Sequence, residues 1–387
     1  MHLILKQNSE KDELIVKEAS DKTWMRMGKN MVIRVCAFTK QGRQTTEKLI
    51  EKMPSLHLKW REDEPLQEWT GEAFADHQPI LFVGACGIAV RAIAPFVQDK
   101  LTDSPVLVMD EKGKHIIPIL SGHIGGANEL ACRLAEATGA EPVLTTATDV
   151  NHIFAVDVFA KKNGLRIENR DGIRYISDKL LRGQQVSVQL DEAFSFQISE
   201  AELPEGLVLY DGGTRSDLSP DLVISTMQNK IRKQNEVRKN TEVLYLTAKP
   251  YVLGIGCKKG KSLTELRNFV EHHVTEEQRR DCYAIASIDL KAEEVGLQEL
   301  AQYYGIPLIT YSSEVLSQVE GSFSESDFVK ETTGVGSVCE RAAVCLGKGR
   351  LLQRKIAEDG MTLAVAERIP EKLDFLSCQD SIFRDIS

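Results

Sequence analysis

Nowhere in this 387-residue sequence do apolar residues run to the roughly 18 that a membrane-crossing helix needs, so no such span is expected. Met1–Glu10 shows no basic stretch leading into an apolar run and a small-residue cleavage site, which argues against secretion. None of the eight cysteines forms a CxxC, and the closest pair, Cys339 and Cys345, is badly spaced for a zinc knuckle. Reduced thiols in a cytoplasm fit that usage. Positive charge is also short: 48 Lys and Arg stand against 57 Asp and Glu, a net charge of -9. That balance argues against a nucleic-acid or membrane-surface partner, and obliges any site for an anionic ligand to gather its cations locally. Internal repeats and low-complexity tracts are missing too.

What is present is the balance of a globular chain, 42% apolar and 27% charged, and too long for one core. Residues 1–30 are polar and aperiodic with a basic end, and read either as an upstream extension or as a hairpin on a domain edge. Ordered patterning begins at Met31 with the strand-like MVIRVCAFT, followed by a helix from about Gln44 to Lys52. Short apolar runs at Ile80–Ala85, Pro105–Asp110, His115–Leu120 and Pro142–Thr148 read as strands. Between them the clearest helix is Ala127–Thr138, with Leu130, Ala131 and Leu134 on one face and Gly139 as its stop. The segment 151–249 is less regular and includes a charged linker or solvated face at Asn229–Asn240. A second alternating pattern starts at Tyr251. The expected fold class is α/β: two domains with mostly parallel sheets (31–150 and 250–369), joined by a smaller, less regular middle domain (151–249), with 370–387 as a tail.

Three segments at predicted strand ends carry polar chemistry. Ser121-Gly122-His123-Ile124-Gly125-Gly126-Ala127-Asn128-Glu129 joins a strand to a helix. Its glycines permit close backbone approach, and the free N–H groups of the helix start suit an anion or oxyanion. Gly84–Arg91 repeats the arrangement, with Arg91 one turn into the next helix. Thr145-Thr146-Ala147-Thr148-Asp149 closes on a carboxylate. Ligands gather at the carboxyl ends of parallel strands, so all three are expected to line one crevice. The bland alternatives are a tight turn with a surface His123, and a buried thiol rather than a nucleophile at Cys86.

Gly254-Ile255-Gly256-Cys257-Lys258-Lys259-Gly260-Lys261-Ser262 imitates nucleotide motifs without matching them. A Walker A loop needs a glycine four residues before its Gly-Lys-Ser, and Ile255 occupies that place. The Rossmann fingerprint fails because Lys259 stands where its third glycine belongs. Ser262 and Glu265 form a capping-box pattern, which sets Lys258, Lys259 and Lys261 at a helix N-terminus. Cations are unfavourable there unless an anion shares the site. The cluster reads as a carboxylate or phosphate cradle, with Lys291 nearby, or as three solvated lysines.

Taken in order, GACGIAVRAIAP (84–95), LSGHIGGANELA (120–131), TTATD (145–149), LGIGCKKG (253–260), SIDLKAEE (287–294) and GVGSVCERAA (334–343) resemble the cobalt-precorrin-5A hydrolase family. The resemblance covers about residues 31–368. It implies N-terminal and C-terminal α/β domains around a linker domain. It also implies hydrolysis of a δ-lactone on a cobalt corrinoid of anaerobic cobalamin biosynthesis, with release of acetaldehyde to give cobalt-precorrin-5B. Cobalt comes with the substrate, so the resemblance implies neither a cofactor nor a protein-bound metal. For such chemistry His123, with an ordinary pKa of about 6.5, is the expected base. Asp149 is the alternative base or the group that orients it, and Ser121 is a polar partner. The N–H groups of Gly125, Gly126 and Ala127 are the expected oxyanion donors, with Asn128, Thr145 and Thr146 beside them. Arg91, Lys258, Lys259, Lys261 and Lys291 are expected to hold the peripheral carboxylates. A non-catalytic corrinoid carrier is the competing reading. The expected partner is a small-molecule corrinoid in the cytoplasm, with room for transient contact with neighbouring pathway enzymes.

Overall fold

Apolar strands and amphipathic helices resolve into three separate sheets in the computed structural model, which describes residues 31–53, 56–99, 102–195, 198, 202–210, 219–226 and 242–375. The expectations for residues 1–30, for Asn229–Asn240 and for the chain beyond 375 lie outside the described residues.

The first sheet has six strands: β1 (Met31–Ala37), β2 (Leu56–Trp60), β3 (Ile80–Val83), β4 (Val106–Met109), β5 (His115–Leu120) and β6 (Glu141–Pro142), in the order β2-β1-β3-β4-β5-β6. Its helices are α1 (Lys40–Lys52), α2 (Leu66–Ala75), α3 (Cys86–Ile93), α4 (Ala127–Thr138) and α5 (Ala147–Val150). Alternate strand residues supply two cores. Ile33, Val35, Leu81 and Leu107 pack with Leu49, Leu130 and Leu134 on one face, while Ile80, Phe82 and Val108 meet Trp69 and Ile93 on the other. Helix α1 starts at Lys40, ahead of the expected Gln44, because the Thr39 hydroxyl caps it by accepting from Gly42 N at 2.9 Å. The run expected as a strand from Pro142 to Thr148 stops at Pro142, and Ala147–Val150 is a helical turn.

Two strands, β5 and β6, are reversed. β5 pairs antiparallel with β4, whereas β1, β2, β3 and β4 are mutually parallel and β6 is parallel to β5. Only a tight turn separates β4 from β5, too short for the crossover a parallel pair requires. The Asp110 carboxylate holds that turn by accepting from the backbone N–H groups of Lys112, Lys114 and His115 at 2.9, 2.9 and 2.7 Å.

The middle domain is smaller but has a sheet of its own. Its strands are β7 (Leu165–Ile167), β8 (Val186–Leu190), β9 (Leu207–Leu209), β10 (Leu222–Ser225) and β11 (Leu244–Ala248), in the order β7-β11-β10-β8-β9, all parallel to their neighbours except β7. Helices α6 (Val156–Lys162) and α7 (Arg170–Leu181) cover it. Leu373 and Phe375 complete its core, with the Phe375 ring 4.4 Å from that of Phe159. The start of the segment expected as a tail is therefore packed structure.

The third sheet comprises β12 (Tyr251–Cys257), β13 (Cys282–Ile288), β14 (Leu308–Tyr311), β15 (Lys348–Glu358) and β16 (Met361–Arg368), in the order β14-β13-β12-β16-β15. Its helices include α8 (Leu263–His273), α9 (Val295–Tyr303) and α10 (Val338–Gly347). β12, β13 and β14 are parallel, and the β15–β16 hairpin closes the other side. Gly254 has a packing role. A Cβ there would lie 1.8 Å from the Cys339 carbonyl oxygen, so α10 can approach β12 only over a glycine.

Polar contacts tie the domains together. Glu299 on α9, 4% exposed, accepts from Lys59 and from Gln78 Nε2 (2.9 Å) of the first domain. Gln78 in turn accepts from Arg34 Nε at 2.5 Å. Arg166 of the middle domain pairs with Asp281 at 2.5 Å, and Arg170 pairs with Asp99.

Candidate active site

The reversal of β5 decides where the Ser121–Asn128 loop goes. It leaves the sheet at the edge where β3 and β4 begin, on the same side as Asp103, whose carbonyl accepts from Ser121 Oγ at 2.8 Å. Ser121 is buried and left-handed (φ 55°), and Gly126 is left-handed at φ 88°. Gly125 is packed against Ser121, where a Cβ would fall 2.4 Å from the serine's own. Loop carbonyls use the first helix donors: Gly126 N, Ala127 N and Asn128 N donate to His123, Ser121 and Gly122 oxygens at 3.0, 3.2 and 3.0 Å. The oxyanion role expected of Gly126 and Ala127 is therefore closed in this structure.

His123 stands at the centre. Its Nε2 lies 3.0 Å from Asp149 Oδ2 and its Nδ1 lies 3.3 Å from Asp157 Oδ2. The Thr148 hydroxyl is 3.3 Å from Nε2. Asn128, buried on the first turn of α4, donates to Asp149 Oδ2 at 2.6 Å and to Thr146 Oγ1 at 3.2 Å. The loop, the TTATD segment and α6 thus converge on one imidazole. Asp157 comes from the first turn of α6, in the middle domain, and was not among the residues expected from sequence. Its spacing gave one hint: Asp157 and Lys161 are four apart on a short helix whose Val156, Phe159 and Ala160 are buried. Lys161 Nζ donates to the Ile124 carbonyl at 2.6 Å.

Two carboxylates on one ring set its charge. Burial disfavours the cation, but hydrogen bonds and charge from Asp149 and Asp157 outweigh it and push the His123 pKa up to about 10. Burial likewise opposes ionisation of Asp157, yet the His123 hydrogen bond and charge hold it below the usual carboxylate range. The resting centre is an imidazolium between two carboxylates. An ordinary imidazole pKa, on which the base role rested, does not survive folding. With side-chain exposures of 13% for His123 and Asp157 against 6% for Asp149, the open side of the cluster is the His123–Asp157 edge.

Other expected residues lie elsewhere. Gly84–Arg91 follows β3, at the opposite sheet edge from the loop after β5, so the single crevice is not formed. Arg91 there is exposed and, among the described residues, bonds only its own helix, at Gly87 O (3.1 Å). Thr145 is exposed at the site's margin. In the third domain Lys261 pairs with Glu265 at 2.7 Å and Lys291 with Glu294 at 3.0 Å, and the Ser262–Glu265 capping box forms as its pattern predicts. Lys258 and Lys259 are exposed. No contact among the described residues joins these lysines to the His123 cluster.

Three α/β sheets, with an imidazolium–dicarboxylate centre held between the first two, define a multidomain α/β protein with an acid–base site. Models of cobalamin synthesis G match along the chain: the N-terminal region at residues 68–149, the cobalamin biosynthesis central region at 154–229 and the C-terminus at 251–366. The chain belongs to this family. It is 35% identical over 298 residues to the cobalt-precorrin-5A hydrolase of Salmonella typhimurium, covering 76% of this chain and 83% of that one. The protein of the same name from Priestia megaterium is 33% identical over 298 residues, covering 76% and 79%. A crystal structure of a cobalamin biosynthesis protein G homologue from Sulfolobus solfataricus aligns over 88% of this chain and 98% of that one, with a TM-score of 0.39 and 21% identity. No helix among the described residues is long and apolar enough to cross a membrane.

Proposed function

We propose that the chain hydrolyses cobalt-precorrin-5A, opening its δ-lactone and releasing acetaldehyde to give cobalt-precorrin-5B. The observation that carries the mechanism is His123 bridged by Asp149 and Asp157 within a chain of this family. Water adds to the lactone acyl carbon as Asp157, on the open edge of the cluster, accepts its proton, and His123, protonated at neutral pH, gives a proton to the departing ring oxygen. The freed hydroxyl then loses its proton as the carbon–carbon bond breaks, and a proton returns to the macrocycle. His123 is thus assigned as acid, with Asp157 as base and the buried Asp149 keeping the ring oriented and charged. Water adds, the acyl C–O bond breaks, and the aldehyde departs leaving its bonding electron pair on the macrocycle, which takes up a proton; no electron is gained or lost, so the scheme calls for no resident cofactor, and cobalt is carried by the substrate.

Free cysteines at every described position support a reducing, cytoplasmic setting. A net charge of -9 supports a small-molecule partner over nucleic acid. The test is incubation with anaerobically prepared cobalt-precorrin-5A and trapping of volatile aldehyde. Stoichiometric acetaldehyde is expected. Tight corrinoid binding with no aldehyde released would instead assign the chain as a carrier.

A further inference from the structure

The Ser121–Asn128 loop faces a cation that the acid–base scheme does not use. Lys161 sits one helical turn beyond Asp157 on α6, so both side chains meet the same loop: Asp157 at His123 and Lys161 at the Ile124 carbonyl, 2.6 Å away. Its ammonium also stands over Gly126. A Cβ built there would find Lys161 Nζ at 3.5 Å and no other heavy atom of the described residues as close, so the backbone beside His123 is open on that side with a cation at its rim.

No carboxylate forms an ion pair with Lys161 among the described residues; burial pulls it below the usual lysine range, and the more distant charge of Glu129 opposes this. Lys249, at the end of β11, adds a second ammonium without an ion pair among those residues. Burial pulls Lys249 below the usual lysine range; Cys282 and Asp281 oppose this, while Lys161 and Arg368 add to it. Arg368 is already engaged, its guanidinium 3.7 Å above the Tyr283 ring and bonded to the Gly164 and Asn163 carbonyls at 3.2 Å each. In a chain of net charge -9, Lys161 at the rim of the loop is a local positive site, and Lys249, whose backbone N–H bonds the Gly164 carbonyl just beyond α6, adds its charge from behind.

We propose that Lys161, backed by Lys249, binds a peripheral carboxylate of the corrinoid over Gly126 and so presents the neighbouring lactone to His123. The inference rests on the corrinoid reading above, and goes beyond it by naming the cations that orient the substrate. It also moves carboxylate recognition away from the third-domain loop, where Lys261 and Lys291 already hold glutamates.

Cobyrinate, a corrinoid with free side-chain carboxylates, and its uncharged heptamethyl ester separate the possibilities in a binding titration followed by visible absorbance. Lys161→Met and Lys249→Met are each expected to weaken cobyrinate binding about tenfold to a hundredfold, as for a lost charge-assisted hydrogen bond. Their salt dependence should flatten, ester binding should stay the same, and Lys161→Arg should restore most of the affinity. With authentic substrate, the same variants should raise KM more than they lower kcat. Native-like cobyrinate binding by both Met variants would overturn the proposal. So would equal loss of cobyrinate and ester, which would make Lys161 a brace for the loop. Failure of the unmodified protein to bind cobyrinate would remove the corrinoid reading itself, and this proposal with it.

Discussion

Asp157 and His123 belong to different domains, yet the carboxylate of one lies 3.3 Å from Nδ1 of the other. A single carboxylate on an imidazole makes a base with a fixed tautomer; the second, beside Asp149, makes a cation that persists through neutral pH. Replacing Asp157 by Asn should remove a charge and lower the His123 pKa from about 10 towards the ordinary histidine range. Imidazole NMR titration checks this. Native protein should show no His123 transition between about pH 6 and 8, where the variant's midpoint should have moved down from the native one. An unchanged midpoint would mean Asp157 contributes little.

Activity should follow the protonated ring. His123→Gln keeps a donor but cannot give up a proton, and turnover should fall about 10²–10⁴-fold with substrate binding largely kept. The native rate should hold through neutral pH and decline only as His123 deprotonates near pH 10. A rate that instead rose through about pH 6.5, as an ordinary imidazole base requires, would return His123 to the role first expected of it.

The same cluster sets a window of stability. The His123 pKa is raised, so its contribution is full below about 6.5, the unfolded value, and is lost as pH climbs through about 10. The Asp157 pKa is depressed, so its share is present above the ordinary carboxylate value and is lost as pH falls through the lower folded one. Thermal melts of native protein and His123→Gln should therefore differ most between about pH 4 and 6.5, narrow through neutral pH and converge towards pH 10 or above. A gap that widened with alkali would contradict the charge assignment.

Gly254→Ala tests the motif that imitates a nucleotide loop. A methyl group 1.8 Å from the Cys339 carbonyl must push α10 off β12, which should cost about 1–3 kcal/mol in denaturant unfolding. Lys259→Ala, in the same loop but exposed, should cost nothing measurable. Equal and negligible effects would mean the helix has room to give.

Glu299→Ala should loosen the first domain from the third. The change leaves Gln78 and Lys59 without their shared acceptor, and about 1–3 kcal/mol is expected for the unsatisfied buried amide. Hydrogen exchange should quicken around β1 and α9, where Gln302 Nε2 also bonds the Val32 carbonyl at 3.0 Å, and not in the middle domain. Uniform quickening across all three domains would show that the contact stabilises the whole fold.

Sequence patterns revealed elements governed by their own residues. The bounds of α4 were readable because Leu130, Ala131 and Leu134 recur at helical spacing and Gly139 takes the left-handed φ of 76° that ends the helix. The capping box at Ser262 and Glu265 was equally local. Orientation was harder. The few residues between Asp110 and His115 carried the evidence for a reversal, but strand alternation alone suggested a parallel sheet and drew Arg91 into a site it does not reach. His123, Asp149, Asn128 and Thr146 were legible as a group because their segments follow neighbouring parallel strands, β5 and β6. Asp157 was not, since no local pattern states which face of α6 will meet a loop some thirty residues earlier. The His123 pKa was hidden for the same reason.

Because β5 turns its loop towards the middle domain, the protonation of His123 reports whether two domains are together. Parting them, by proteolysis near residue 150 or by a swinging motion, leaves the ring with Asp149 alone and one negative charge fewer. The imidazole then drifts towards neutrality, and the proton it would have delivered passes to solvent. Contact between the domains is in that sense stored as a bound hydrogen ion. Transplanting the first domain into another scaffold would carry over the histidine and leave its acidity behind.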